Sequence, residues 1–132
     1  MRYYSEENSN PAIVEITGVL IDGIVTAVPK NRIDNLNDPN IEKEQGEKIL
    51  KTTGIRYRRL ASDTTTTSDL CYIAAVNLLE QFQTFREDIE ILVFVSQTPD
   101  YILPATAPIL QHKLGLGSNV AAFDMNMGCS GY

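Results

Sequence analysis

The chain has 132 residues, 43% of them hydrophobic and 21% charged, with a formal net charge of -6. That length and composition fit one globular domain with its own core and are too small for two. The acidic balance argues against a nucleic-acid or anionic-membrane partner, since either needs a basic face. No run approaches the ~18 consecutive apolar residues of a membrane span.

Residues 1–11 read as a flexible leader ending at Pro11, and residues 12–132 as a single α/β domain. From Ala12 to Val28 the chain is rich in Ile, Val and Thr and broken by Gly18 and Gly23. This predicts one or two strands with a turn or bulge at the glycines, stopped at Pro29. Residues 30–40 read as a loop by composition. Ile41 to Thr53 forms a weak amphipathic helix, with Gly54 closing it at C′. Residues 55–63 are a short basic connection.

The run Thr64 to Ser68 offers several N-caps for the next helix. Cys71, Ala75, Leu78, Leu79 and Phe82 recur at helical spacing, so Asp69 to Thr84 is the strongest predicted helix. Ile91 to Val95 is a continuous apolar run, as in a strand covered on both faces. A helix from Ala107 to Leu114 follows, capped by Thr106 and closed by Gly115. Val120 to Met127 reads as a further strand. The order strand, helix, strand, helix, strand calls for a parallel sheet with crossover helices. The sequence stops where another helix would begin, with few helices for several buried strands, so a truncated product or fragment is expected.

Chemistry concentrates at Met127-Gly128-Cys129-Ser130-Gly131-Tyr132. Small residues around a cysteine at a strand-to-helix turn let the backbone bend sharply and expose the sulfur. A helix starting just after Cys129 would favour the thiolate, the form that attacks a thioester. By spacing alone, an inert buried thiol is the commoner outcome for such a cysteine.

Several landmarks occur together and in order. They are Ile16-Thr17-Gly18 with Ala27-Val28-Pro29; Thr53-Gly54-Ile55-Arg56-Tyr57-Arg58-Arg59; Asp69-Leu70 with Ala74-Ala75; and Ile91 to Val95. Then come Leu103-Pro104-Ala105 through Gln111, Leu114 and Gly115, and Ala122-Phe123-Asp124 with Gly128-Cys129-Ser130-Gly131-Tyr132. This series resembles the N-terminal portion of the β-ketoacyl-[acyl-carrier-protein] synthase III family of thiolase-fold condensing enzymes. The resemblance implies the N-terminal half of a thiolase-like fold, with layered helices around a mostly parallel sheet, truncated after the nucleophile strand. It implies an acyltransferase of fatty-acid or related biosynthesis, in which Cys129 takes an acyl group from acyl-CoA or an acyl carrier protein. The acyl-enzyme then condenses with a malonyl carrier protein, helped by a His and an Asn in the family's second half. Those two are unmatched here, so this chain alone is not expected to condense.

The resemblance further places Leu103 at the acyl pocket, reaching across a homodimer interface, while its plain reading is a loop leucine packed against its own core. Met127 reads as core or acyl-pocket lining, since thioethers fill irregular apolar gaps. It implies no bound cofactor, with CoA or the carrier protein entering as substrate. The family's Trp and Arg at its CoA site fall on Lys48 and Thr52, and the chain has no Trp. This departure leaves the usual adenine sandwich unmatched. For Arg56 and Arg58 two readings stay open: a clamp for the phosphates of CoA or pantetheine, or a solvated basic turn paired with acids such as Asp63.

The remaining chemistry-bearing residues read as structural. His112 is an exposed helical side chain, Cys71 an inert core thiol, and Asp124 and Asn126 make local hydrogen bonds in the last strand. The cluster Asp34 to Asn40 lacks the glycine and terminal Glu of a calcium loop and reads as a plain loop. Two cysteines without metal-ligand spacing give neither a disulfide framework nor a metal site, so a reducing, cytoplasmic setting is expected. Against the enzyme stands a different class: a non-catalytic remnant that pairs with other chains through an exposed sheet edge.

Overall fold

A computed structural model describes residues 16–129. The leader, Ala12 to Glu15 at the start of the expected opening strand, and Ser130 to Tyr132 where a following helix is expected, lie outside the described residues. The elements in chain order are β1 (Arg32–Asp34), α1 (Lys43–Thr53), β2 (Tyr57–Arg59), α2 (Thr67–Gln81), a 3-10 turn (Arg86–Asp88), β3 (Ile91–Val95), α3 (Thr106–Lys113) and β4 (Ala121–Met125).

The main layer is a parallel pair. β3 and β4 run side by side in the register Ile91↔Ala121 to Val95↔Met125, joined through α3. Apolar residues of β3 alternate in their fate. Leu92 and Phe94 turn toward α2 and α3, where Phe94, Ala107 and Leu110 form a buried cluster flanked by Cys71, Tyr72 and Ala122. Ile91, Val93 and Val95 lie on the other side and are 62%, 39% and 45% exposed. Among the described residues the strand is covered on one face only: an unbroken apolar run specifies burial but not what supplies the cover.

Both longer helices obey local rules. Thr66 caps α2 in a reciprocal box: its hydroxyl accepts from the Asp69 N–H at 3.3 Å while Asp69 Oδ2 accepts from the Thr66 N–H at 3.1 Å. α1 ends as expected at Gly54, whose φ of 72° places it in the left-handed region and whose N–H donates to the Leu50 carbonyl.

Two expectations about the first half are overturned. Residues 16–28 contain no strand. Strands are held by ladder hydrogen bonds, and among the described residues none lies alongside this segment. Ile16, Val19, Leu20, Ile21 and Ile24 are all at least 73% exposed, though Gly23 packs its Cα against the Phe82 ring at the end of α2.

The supposed loop and basic connection instead form a two-stranded antiparallel sheet, with Arg32 opposite Arg59, Ile33 opposite Arg58 and Asp34 opposite Tyr57. Residues 34–40 also do more than link elements. Asn35 and Asp38 are each only 4% exposed. Asn35 donates through Nδ2 to the Ile55 carbonyl at 2.9 Å, and its own carbonyl lies against buried Gly46 of α1, leaving no room for a side chain there.

Candidate functional site around Cys129

β4 ends at Met125, and three residues later the chain turns at Gly128 and Cys129. Cys129 is exposed. Its position answers the question that spacing left open, because the sulfur is at a turn past a strand end and is not sealed in the core. The turn faces the end of β3: the Ser96 N–H donates to the Met125 carbonyl at 3.3 Å, extending the parallel ladder by one rung.

The loop after β3 is fastened on its far side. Asp100 accepts from both the backbone N–H and the hydroxyl of Ser68, which is 1% exposed, at the start of α2. The Thr98 N–H donates to Ser96 Oγ at 3.0 Å, and the Thr98 and Thr67 hydroxyls lie 3.2 Å apart. One segment thus ties the Cys129 turn to the N-terminus of α2. Sequence reasoning passed over Ser68 and Asp100 because they stand 32 residues apart.

Asp124 is the largest departure from expectation on β4. It makes no merely local contact: its two carboxylate oxygens accept from the backbone N–H groups of Thr106 and Ala107, each at 2.7 Å. Thr106 is the first residue of α3 and not its cap, and the residue before it, Ala105, has no side-chain cap to offer. A carboxylate from the neighbouring strand satisfies orphan donors at the helix start. The Thr106 hydroxyl is fully buried, with no hydrogen-bond partner among the described residues.

The other expected site residues are scattered. Met127 lies beside the turn and is 47% exposed. Leu103 is 84% exposed, on a loop tip with Tyr101 and Ile102 at 57% and 92%. Arg58 lies in β2 of the small sheet and Arg56 just before it, and among the described residues no hydrogen bond or ion pair links them to the Cys129 turn. Arg58 is engaged from within, donating to Asn35 Oδ1 and Asp38 Oδ2. Arg56 pairs with Asp34 Oδ2 at 3.2 Å, its side chain 51% exposed. The acids that meet these arginines are therefore Asp34 and Asp38, not Asp63. The Tyr57 ring lies under Arg32, 3.6 Å from its centroid, with Arg56 at 5.2 Å.

Three carboxyls sit below the usual aspartate range. Asp34 is lowered by the Leu36 N–H and by Arg56, and Asp38 by the Asn40 N–H and then Arg58. Asp69 is lowered by its bonds to Thr66 and by Lys113. Burial pushes the Cys71 thiol up, with the Asp100 charge adding to it. Cys71 packs on the core cluster as a structural thiol would. His112 is exposed on α3, as expected. No cluster of three metal-ligating side chains occurs among the described residues, and no described helix is long and apolar enough to cross a membrane.

No family model matches the chain. Curated proteins do. The β-ketoacyl-[acyl-carrier-protein] synthase III 2 of Halalkalibacterium halodurans is 33% identical over 119 residues, covering 90% of this chain and 36% of that protein. The β-ketoacyl-[acyl-carrier-protein] synthase III of Syntrophomonas wolfei is 36% identical over 114 residues, covering 86% and 34% respectively. The chain thus spans about a third of the length of the curated relatives it matches. Among solved structures, the 3-oxoacyl-(acyl-carrier protein) synthase of Burkholderia xenovorans LB400 superposes with a TM-score of 0.76 at 38% identity, covering 84% of this chain and 32% of that one. The described residues form a small α/β unit of the thiolase-like fold with a parallel pair of strands at its centre.

Proposed function

We propose, on the premise that the chain is a partial relative of the β-ketoacyl-[acyl-carrier-protein] synthase III proteins, that it carries the acyl-accepting part of such an acyltransferase, with Cys129 as nucleophile. The observation that carries this is the exposed Cys129 thiol on the turn after β4. In the step assigned to it, the thiolate attacks the carbonyl carbon of an acyl thioester. The tetrahedral oxyanion collapses, the bond to the donor's sulfur breaks, and the departing CoA or pantetheine thiolate takes up a proton. The product is an acyl-Cys129 thioester.

Condensation with a malonyl carrier protein would follow in fatty-acid or related biosynthesis, in a cytoplasmic homodimer. Decarboxylation generates the carbanion, which attacks the acyl-Cys carbonyl and returns the thiolate. That second half calls for a His and an Asn that the residues in hand do not offer. Met127, next to the turn, and Leu103, on an exposed apolar tip, are assigned to the acyl pocket. Arg56 is the better placed of the two arginines for a donor phosphate, since half of its side chain is open while Arg58 is already occupied. No bound cofactor is assigned.

The test is acylation itself. Incubation with a short acyl-CoA, read by intact mass, should add one acyl group to the wild type and none to Cys129→Ala. Absence of any adduct from several CoA and carrier-protein donors rejects the reading. A second reading, an interaction module without catalysis, is favoured by the bare apolar side of β3 with Phe123 beside it, 46% exposed. Self-association or partner capture without acylation would support it.

A further inference from the structure

Gly128 and Gln97 share one space. A Cβ built on Gly128 would lie 2.6 Å from Gln97 Nε2 and 3.7 Å from its Cδ, so the side-chain amide occupies the place that a side chain at position 128 would take. Both partners are exposed at the mouth of the strand ends, not jammed by core packing. Gln97 follows Ser96, whose N–H extends the β3–β4 ladder, and precedes Thr98, which is anchored to Ser96 Oγ. The backbone that delivers the amide is therefore fixed, even though the side chain itself is open to solvent.

We propose that Gln97 is a positioning residue of the nucleophile turn, and that Gly128 is glycine because it admits the Gln97 amide beside Cys129. This rests on Cys129 being the nucleophile. The amide is a neutral group with two N–H donors. Set against the residue preceding the cysteine, it is assigned to orient the turn and to supply N–H donors to the thiolate and the acyl oxyanion as they develop. Donors preplaced at developing charge favour the charged state without reorganising. An alanine at 128 would not break the fold, because the Gln97 side chain can swing into solvent. It would instead evict the amide, so Gly128→Ala and Gln97→Ala remove the same thing by two routes.

That equivalence is the test. Alkylation of Cys129 by iodoacetamide needs no acyl donor, and its rate against pH is measured for the wild type, Gln97→Ala, Gly128→Ala, the double variant and Gln97→Glu. Cys71 is replaced by Ala throughout, so that one thiol reports. The two single variants should slow alkylation at pH 7 by a similar factor, about threefold or more, through a profile moved to higher pH. The double variant should be no slower than either, the non-additivity expected of residues acting as a unit. Gln97→Glu, which replaces donors by a negative charge, should move the profile further. A Gln97→Ala profile that superposes on the wild type, or two single effects that simply multiply in the double variant, overturns the proposal. Acyl-CoA labelling of the same proteins separates the two readings: failure of the wild type to acylate removes the catalytic assignment, while the alkylation cycle still decides the role of Gln97.

Discussion

The Asp124 carboxylate reaches across from β4 to the first turn of α3, each oxygen accepting one backbone N–H, from Thr106 and from Ala107, at 2.7 Å. Asp124 is four residues into the strand that delivers Cys129, opposite Phe94 in the parallel register. A single side chain thus ties the crossover helix to the strand that leads to Cys129. It satisfies donors that would otherwise be buried against a fully enclosed Thr106 and Ala107.

Removing that cap should cost stability before it costs anything else. Asp124→Ala is expected to lower unfolding stability by about 2 kcal/mol, the upper range for losing a helix cap, and Asp124→Asn by about half as much because one carbonyl oxygen remains. Urea unfolding followed by circular dichroism measures both. Equal losses for the two variants would mean that the hydrogen bonds contribute less than the charge.

Arg56, just before β2, and Arg58 within it should separate by role. Arg58 satisfies Asn35 and Asp38, both buried, so Arg58→Ala strands their oxygens. Its melting temperature should fall by about 5 °C or more. Arg56 makes an open ion pair with Asp34, and Arg56→Ala should shift the midpoint by less than about 2 °C. Scanning calorimetry of the two variants checks the ranking, and a reversed order would contradict it.

Acid should weaken the fold through three carboxyls. Asp34, Asp38 and Asp69 are all held below their ordinary values, chiefly by backbone N–H donors. The folded state therefore binds these protons less tightly than the unfolded chain. The stability they contribute is complete above the ordinary aspartate value near pH 4, and is lost as pH falls through the lower folded values. Urea midpoints should be flat, as far as these groups are concerned, from pH 7 to about 5 and decline below about 4. Replacing Asp69 by Asn should flatten part of that decline.

The two thiols should react unequally. Cys129 is exposed, whereas Cys71 lies against the core cluster with its thiol pushed up by burial and by Asp100. A raised value leaves less thiolate at neutral pH, so Cys71 should be alkylated about tenfold more slowly or less. Peptide mapping after a brief iodoacetamide pulse reads the ratio. Preferential labelling of Cys71 would contradict the exposed turn.

The main elements and the turn at Cys129 were legible in the residues because their signals act within a few positions. The Thr66–Asp69 box, the apolar spacing of α2, Gly54 and Gly115 past helix ends, and the five-residue apolar run of β3 each carry their own local preference. The resemblance suggested the role proposed for Cys129, which spacing alone would have left as a buried thiol. Only the tertiary structure decided the rest. Pairing of the charged segments 32–34 and 57–59 has no alternating apolar pattern to announce it, and Ile16 to Val28, which has a strand's composition, finds no ladder partner among the described residues. Arg58 with Asn35, Ser68 with Asp100, Asp124 with Thr106 and Gln97 with Gly128 join residues 18 to 32 positions apart. Such contacts become favourable only once the chain has closed the intervening loops, so no short window of sequence contains them.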